Sequence, residues 1–316
     1  AVPPKPHDIE TNEEARTAWR RAARGVHTRN AAMKGKILAV EKVIMIAKEV
    51  REEPAIFFPK VVDFRGRVYD APSFLKPQGD DLSKGLLEFA HGKPLDQIGA
   101  YWLAIHGANV WGEDKCSLDD RVDWVERNES KIVRAAESPF EERFWMDADK
   151  PFQFLQFCLD WAGYVRNGLG HISHTQVAMD GSCNGLQHLS AILRDDVGGQ
   201  AVNLVPAGLP SDIYTQVKDK VVALLKEEAA QGSPTAQKWL PLMERKTVKR
   251  PVMTLPYGAT KQGFADQIME DNIRPLEQTG ERPFTSEPYK AAHDPGKPVW
   301  PPTGETGHAA QARGTG

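Results

Sequence analysis

Cysteine is scarce in this sequence, and long hydrophobic runs are missing from it. The 316 residues include three cysteines, Cys116, Cys158 and Cys183, which are far apart and form no Cys-x-x-Cys pair. This pattern predicts neither a zinc site nor a disulfide framework, and it favours a reducing compartment. No apolar run approaches the ~20 residues that a membrane span needs. Residues 1–14 are polar and acidic, unlike a signal peptide, so we expect no membrane partner.

An overall excess of positive charge is also lacking, because the formal net charge is -3. The total charge therefore gives no indication of a nucleic-acid partner. Basic residues do cluster locally, in residues 16–29 and again in residues 245–250. A cluster of this kind is commonly a solvated helix face. Hydrophobic residues make up 41% of the chain, which is enough to bury a sizeable core.

The spacing of apolar residues predicts a mostly helical chain. The predicted helical segments are residues 11–50, 96–165, 183–193, 211–225 and 233–257, with Ser211 as an N-cap. Short β-like runs between residues 56 and 69, interrupted by Pro59 and Gly66, predict a hairpin or a sheet edge. The last 36 residues contain six prolines and five glycines, so we expect residues 281–316 to be disordered.

A carboxylate follows a short apolar run at Asp180. We expect Val177–Asp180 to be the end of a buried strand, with Gly181 allowing close approach to the backbone. The Asp180 carboxylate and the Gly181 carbonyl are hard oxygen ligands of the kind that Mg²⁺ prefers. The alternative is an ordinary Asp-Gly-Ser turn that binds no metal.

A second pattern is ERKTVKRPVMTLPYGA, residues 244–259. Arg245 and Lys249 are four residues apart and therefore share one face of a helix. Two cations one turn apart suit a triphosphate, and Tyr257 offers a flat stacking surface at the helix end. Pro251 is expected to kink this helix and Pro256 to end it. The alternative is a basic surface helix with no ligand.

Further motifs are weak alone but specific in combination. They are DFRGRVYD (63–70), PQGDDLSKGLLEF (77–89), WLAIHGANVWGEDK (102–115) and DGSCNGLQHLSAILRDDVGGQAVNL (180–204), followed by R-x3-K-x7-YG. In this order the sequence resembles the phage-type single-subunit DNA-dependent RNA polymerases, from about residue 9 to about residue 280. The family copies DNA into RNA with two Mg²⁺ ions.

The resemblance implies a mostly helical α+β fold: a partial right-hand polymerase, palm and fingers, with a small antiparallel palm sheet. It also implies a division of the chain. The segments are residues 1–53 as the helical end of the thumb, 54–95 as the first palm segment, 96–170 as a helical palm insert, 171–196 as the palm segment with the metal aspartate, 197–280 as partial fingers, and 281–316 as the Pro/Gly-rich tail.

Roles for matching residues follow from the same resemblance. Asp180 resembles the first palm aspartate, which binds both metals with help from the Gly181 carbonyl. Lys249 resembles the fingers lysine that contacts the incoming phosphates and acts as general acid to pyrophosphate. Arg245, Tyr214 and Lys115 match residues that contact the triphosphate. Tyr257 matches the tyrosine that contacts the sugar and the templating base. Arg67 and Lys84 match residues that contact nucleic acid. The implied partners are a DNA template, nascent RNA and NTPs.

Position 185 bears on the choice between RNA and DNA as product. The related bacterial-type DNA polymerases carry a glutamate five residues after the palm aspartate, where it crowds the sugar 2′ position. This sequence has Gly185 there. We therefore expect space for a 2′-hydroxyl and a site that accepts ribonucleotides.

The family's second metal aspartate follows a histidine at the end of an apolar strand. The pair His293-Asp294 lacks such a strand and is better interpreted as a turn. We therefore expect an incomplete polymerase core. The alternatives are an inactive remnant that binds NTPs or nucleic acid, and one half of a split enzyme with a separately encoded C-terminal palm fragment. The expected location is the bacterial cytoplasm under a phage or prophage, with a mitochondrial origin still open.

Overall fold

A computed structural model describes residues 2–279 together with Phe284 and Ala292. These residues belong to two compact units, the first ending at Met179 and the second beginning at Asp180. The pair His293-Asp294 and nearly all of the predicted tail lie outside the described residues. Within the described part of the chain, no helix combines the length and the apolar character needed to cross a membrane.

The first unit opens with a long helix, α1 (Glu13–Val50), as its apolar spacing predicts. The side chain of Asn12 caps the helix by accepting a hydrogen bond from the backbone N–H of Ala15. Glu13 and Glu14 lie in the first turn and Lys48 in the last, so that the charges complement the helix dipole. The α1 residue Val43 is buried against Leu75, Leu82 and Leu87.

The predicted hairpin is confirmed as β1 (Lys60–Val62) paired antiparallel with β2 (Val68–Asp70). Its turn depends on Asp63, whose carboxylate accepts hydrogen bonds from the backbone N–H groups of Arg65 and Arg67. Gly66 has a φ of 76°, which glycine adopts without strain. At the other end of the hairpin, the buried Asp70 pairs with Lys60.

Helices packed through aromatic side chains form the rest of the first unit. They are α2 (Asp81–Gly85), α3 (Gln97–Trp111), α4 (Leu118–Glu137) and α5 (Pro151–Asn167), with a 3-10 turn at Phe144–Asp147. Phe154 and Phe157 of α5 are fully buried against α3 and α4. The Asp81 carboxylate accepts from the Phe152 and Gln153 N–H groups and so caps α5. A second antiparallel pair, β3 (Lys93–Pro94) with β4 (Ile172–Ser173), completes this unit.

The second unit is helical around one hydrophobic core. Its helices are α6 (Asn184–Leu193), α7 (Asp196–Ala201), α8 (Ile213–Ala230), α9 (Pro234–Trp239), α10 (Arg245–Thr254), α11 (Lys261–Ile268) and α12 (Arg274–Thr279), with a π-helical turn at Met269–Ile273. Val217 and Val221 of α8, Val248 and Val252 of α10, and Phe264 of α11 are fully buried together. Helices with two small antiparallel sheets in the described residues confirm the predicted α+β class.

Two local predictions were wrong. Residues 177–180 form no strand and pair with no described strand, and Met179 is 72% exposed. A short apolar run alone does not supply the neighbouring strand that a buried strand needs. The N-cap of α8 is Asp212 and not Ser211. The predicted helical stretch 233–257 is confirmed as two helices, α9 and α10, separated by a 3-10 turn at Leu240–Leu242 and a break at Met243.

The packing of α3 on α5 depends on the absence of a side chain at Gly107. A Cβ atom built there would overlap the ring of Phe157. We expect Gly107→Ala to lower the free energy of unfolding by about 1–3 kcal/mol, because the packed core cannot absorb the added methyl group. Urea denaturation followed by tryptophan fluorescence measures this change.

Gly35→Ala is the matched control, since Gly35 lies in α1 with nothing within 4 Å of the added atom. It should raise the free energy of unfolding by about 0.5–1 kcal/mol through helix propensity. Equal effects of the two substitutions would contradict the packing argument.

Candidate functional site

Two cations of α10 lie over one aromatic ring of α8. The guanidinium carbon of Arg245 is 4.9 Å from the centroid of the Tyr214 ring, and the Nζ atom of Lys249 is 5.9 Å from it. Cations over an aromatic face are attracted by the ring quadrupole. The structure therefore brings together three of the residues that the sequence assigned to a triphosphate.

Asp212 holds Arg245 in this arrangement. The Arg245 Nε atom donates to Oδ2 of Asp212 at 2.6 Å, and Nη2 donates to Oδ1 at 3.2 Å. The same carboxylate caps α8 by accepting from the N–H groups of Tyr214 and Thr215. Sequence reasoning missed Asp212, although an aspartate directly before an apolar helical stripe is an N-cap signal.

The ionisation of Asp212 follows from these contacts. Partial burial alone would raise its pKa, but hydrogen bonds from Arg245 and Thr215 outweigh it and hold the pKa below the usual value. Burial, reinforced by the neighbouring Cys183 thiol, raises the pKa of Tyr214 well above its ordinary value. Tyr214 is therefore a neutral phenol at neutral pH, next to an ionised carboxylate.

The basic helix α10 has two functionally different sides. Lys246 pairs with Glu244 at 2.9 Å, while Arg250 pairs with Asp271 at 2.8 Å and Glu270 at 3.2 Å. These two cations fit the alternative of an ion-paired surface helix. Arg245 and Lys249 instead lie over Tyr214. A shallow groove of about 340 Å³ runs beside α10. It is lined by Lys246, Lys249, Arg250, Met253, Asp271 and Asn272.

The end of α10 sets the position of Tyr257. Pro251 lies inside the helix, and the predicted kink there stays a prediction. The α-helix ends at Thr254, just before Pro256, which confirms that prediction. A 3-10 turn at Leu255–Tyr257 follows. Gly258 then takes a φ of 81°.

Tyr257 and Gly185 lie against each other. The Tyr257 hydroxyl donates to Oδ1 of Asn184 at 3.2 Å. A Cβ atom built on Gly185 would lie 3.0–3.1 Å from atoms of the Tyr257 ring. The two residues that the sequence assigned to sugar selection are therefore in direct contact, and the ring occupies the space beside the glycine.

Asp180 lies in an exposed loop before α6. Its Oδ1 atom accepts a hydrogen bond from the N–H of the next residue, Gly181, at 2.8 Å. A Cβ atom built on Gly181 would lie 2.7 Å from Oε1 of Gln187, so this glycine packs directly against α6. The chain before the loop is held by His106, whose Nδ1 atom accepts from the Ala178 N–H at 3.4 Å. Burial, together with Lys150, lowers the pKa of His106 to about 4 and keeps the ring neutral.

The metal-ligating groups around Asp180 are few. No group of three or more His, Cys, Asp or Glu side chains among the described residues could hold a metal ion. Asp180 and the Gly181 carbonyl fit one edge of a Mg²⁺ coordination shell, but they do not fit a site for two ions. The remaining ligands of such a site are not among the described side chains.

The other residues singled out from the sequence lie in the first unit. Lys115 follows α3 and pairs with Asp114 at 2.8 Å. Arg67 follows the tight turn of the hairpin, where its backbone N–H contacts Asp63, while Arg65 is the residue whose guanidinium pairs with that carboxylate. Lys84 lies in the last turn of α2.

Comparison with known proteins shows which family this chain belongs to. The family model of DNA-dependent RNA polymerase matches residues 93–293. T7 RNA polymerase of Escherichia phage T7 is 40% identical over 95% of this chain. The DNA-directed RNA polymerase of Enterobacteria phage T3 is 39% identical over the same share. A chloroplastic/mitochondrial DNA-directed RNA polymerase of Nicotiana sylvestris is 36% identical over 98% of the chain.

The protein therefore belongs to the DNA-dependent RNA polymerase family, and the resemblance inferred from its motifs is confirmed. The matched region covers 36% of the phage T3 protein, 37% of the phage T7 protein and 31% of the Nicotiana protein. The chain thus spans about a third of the length of these relatives.

The Asp212–Arg245 pair predicts a pH-dependent contribution to stability. A carboxyl group with a lowered folded-state pKa contributes stability above its unfolded pKa and loses it as the pH falls through the folded value. Asp212→Asn keeps the capping oxygen but removes the charge. We expect it to cost about 1 kcal/mol at pH 7, since the pair is partly exposed. The difference from wild type should shrink below about pH 4.

Urea denaturation at pH 7 and at low pH measures this difference. Asp219→Asn is the control, because Asp219 pairs with Lys218 on the exposed side of α8. It should change the stability by only a few tenths of a kcal/mol. A pH-independent cost for Asp212→Asn would contradict the proposed role of the charge.

Proposed function

We propose that this protein binds ribonucleoside triphosphates in its second unit and acts in DNA-directed RNA synthesis. The observation that carries the proposal is the cluster of Tyr214, Arg245 and Lys249, in which Asp212, the N-cap of α8, holds Arg245. Membership of the RNA polymerase family supports it. The reaction is the transfer of a nucleoside monophosphate from an NTP to an RNA 3′ end, directed by a DNA template.

The cluster suits phosphoryl transfer because this reaction needs positioning and charge neutralisation more than covalent help. In our proposal Arg245 and Lys249 bind the triphosphate, with Lys249 also donating a proton to the departing pyrophosphate. Arg245 reaches the outermost phosphate, and Tyr214 supports both cations from below. Lys115 provides a further contact with the triphosphate.

Asp180 and the Gly181 carbonyl are the proposed ligands for Mg²⁺. When bound, the metal would stabilise the charges of the attacking and leaving oxygens. Two ions need more carboxylates than the described residues offer, so we propose that another segment, such as a separately encoded C-terminal palm fragment, completes the site. The chain would then supply the nucleotide-binding part of a polymerase.

Gly185 and Tyr257 are the proposed determinants of sugar selection. Gly185 has no side chain to occupy the space near a ribose 2′-hydroxyl, and the Tyr257 ring lies 3.0–3.1 Å from where a side chain would begin. In this proposal the ribose lies beside Gly185, and the Tyr257 ring bounds that space on one side.

Contacts with template and RNA are proposed for the first unit. Arg67, next to the tight hairpin turn, and Lys84 of α2 are the candidate contacts with nucleic acid. We also propose the division inferred from the sequence: thumb end in 1–53, palm in 54–95 and 171–196, palm insert in 96–170, and partial fingers in 197–280. The proposed location is a bacterial cytoplasm under a phage or prophage. Organellar relatives keep a mitochondrial origin as the alternative.

A second candidate is a binding remnant that retains NTP affinity without turnover. The single carboxylate at Asp180, without a cluster of further acids in the described residues, favours it. Primer extension with NTPs and Mg²⁺ separates the two candidates. Product from the chain with an added C-terminal palm fragment, abolished by Asp180→Ala, supports the enzyme. Product from the chain alone contradicts the need for a second segment.

Nucleotide binding tests the cluster directly. Arg245→Ala and Lys249→Ala should each weaken the binding of a fluorescent ATP analogue about tenfold, because each removes a charge-assisted contact with the triphosphate. Fluorescence titration measures the dissociation constants.

Arg250→Ala and Lys246→Ala are the matched controls from the ion-paired side of α10. They should change the affinity less than about twofold, since exposed ion pairs contribute little. Stronger losses from the controls than from Arg245→Ala would move the nucleotide to the groove beside Arg250.

The sugar preference gives a separate test. Gly185→Ala should lower the preference for ATP over dATP, because the methyl group must displace the Tyr257 ring by a few tenths of an ångström and takes space that we propose for the ribose. An effect of up to about tenfold is expected for one added methyl group in a closed pocket. Competition between ATP and dATP for the bound fluorescent analogue measures the ratio.

Tyr257→Phe serves as the control for the ring itself, since it keeps the ring and loses only the hydrogen bond to Asn184. An unchanged preference in Gly185→Ala, or a wild-type preference for dATP, would contradict the proposed role of Gly185.

A further inference from the structure

Asn203 makes an unusually complete set of side-chain hydrogen bonds for an exposed residue. Its Oδ1 atom accepts from the Ser211 N–H at 2.6 Å, and its Nδ2 atom donates to the Ser211 carbonyl at 2.8 Å. The same Nδ2 atom donates to the Ser182 hydroxyl at 2.9 Å. Asn203 itself has a φ of 57°, a conformation that asparagine tolerates better than most residues.

The two serines lie next to two different parts of the candidate site. Ser182 is two residues after Asp180, the proposed metal ligand. Ser211 directly precedes Asp212, which holds Arg245 beside Tyr214. One amide group therefore connects the loop that carries the carboxylate to the segment that organises the two cations. These two segments are almost thirty residues apart in sequence.

A second contact supports the same connection. The Gln187 side chain donates from Nε2 to the carbonyl of Val202 at 2.8 Å, one residue before Asn203. Gly181 packs against the Oε1 atom of the same glutamine. The loop from Gly181 to Ser182 thus rests on residues 202–203 through two independent side chains. If Asn203 served only to close the loop between residues 203 and 211, its bonds to Ser211 would be sufficient, and the contacts with Ser182 and Gly181 would not be needed.

We propose that Asn203 is a positioning residue that fixes the Asp180 carboxylate relative to the Arg245 and Tyr214 cluster. This inference rests on the proposed function, because it assumes that a metal-bound triphosphate contacts both places. Asn203 itself contacts neither metal nor phosphate. It acts through Ser182 on one side and through the backbone of Ser211 on the other.

The inference predicts which part of nucleotide affinity depends on this connection. Without metal, a triphosphate contacts only the cations, so the affinity does not depend on the Ser182 bond. With Mg²⁺, the ligand also reaches Asp180, so the gain in affinity on adding metal depends on the position of the loop. A general loosening of the fold would weaken both affinities together.

Ser182→Ala is the sharpest variant, since it removes one end of the connection and leaves the Asn203–Ser211 bonds in place. Ser182→Thr restores the hydroxyl and is the conservative control. Asn203→Gly removes both ends but retains the positive φ. A fluorescent ATP analogue is titrated into the full chain, once in EDTA and once in Mg²⁺, and the ratio of the two dissociation constants gives the metal-dependent gain.

We expect Ser182→Ala to leave the affinity in EDTA unchanged and to reduce the metal-dependent gain by about fivefold, as one ordinary hydrogen bond would. Ser182→Thr should restore the gain. Asp180→Ala should abolish it, and adding Ser182→Ala to Asp180→Ala should change nothing further.

The alternative outcomes are distinct. A full metal-dependent gain in both Ser182→Ala and Asn203→Gly overturns the inference while the proposed function stands. An equal loss in EDTA and in Mg²⁺ also overturns it, since the bond is then only structural. A wild-type chain that binds no nucleotide overturns the proposed function, and the inference falls with it.

Discussion

The candidate site depends on the ion pair between Asp212 and Arg245. The carboxylate has two tasks, since it caps α8 and fixes an arginine of α10 at 2.6 Å. Partial burial opposes the charge on Asp212, and the hydrogen bonds from Arg245 and Thr215 more than compensate for it. Because α8 and α10 share one core through Val217, Val221, Val248 and Val252, the pair is built on rigid elements. The Tyr214 ring, in the first turn of α8, then lies beneath both cations.

This arrangement explains why α10, with four cations in two consecutive turns, is more than a solvated helix face. Lys246 and Arg250 are matched by acidic neighbours on the same surface. Lys249 instead lies over an aromatic ring, which attracts it without neutralising it. Lys249 therefore keeps much of its charge for a phosphate. Arg245 is paired with Asp212 as well, so Lys249 is the cation that this arrangement sets apart from the ion pairs at Glu244, Glu270, Asp271 and Asp212.

Much of the fold follows from local signals, and the failures have physical reasons. Helical periodicity predicted α8 because it has one continuous apolar stripe, and it predicted α1 from two groups of apolar residues at helical spacing. The strand predicted at residues 177–180 is absent because a stable strand requires a partner strand from elsewhere in the chain, which the local sequence does not show. Ser211 and Asp212 are both good capping residues. Asp212 is the N-cap of α8, and it also pairs with Arg245 of α10, a contact that the local sequence does not show. The sequence alone predicted that Arg245 and Lys249 share one face of a helix. Their contact with the Tyr214 ring depends on the packing of α8 against α10, and Tyr214 lies more than thirty positions before Arg245.

The central claim is that the Asp212-anchored cations receive a triphosphate that Asp180 also reaches through a metal. A crystal structure of the chain with ATP and Mn²⁺ tests it most directly, because the anomalous signal locates the ion. We predict phosphates against Arg245 and Lys249, with one Mn²⁺ bound to the Asp180 carboxylate. Phosphates in the groove between Lys246 and Arg250, with no ion at Asp180, would contradict the account.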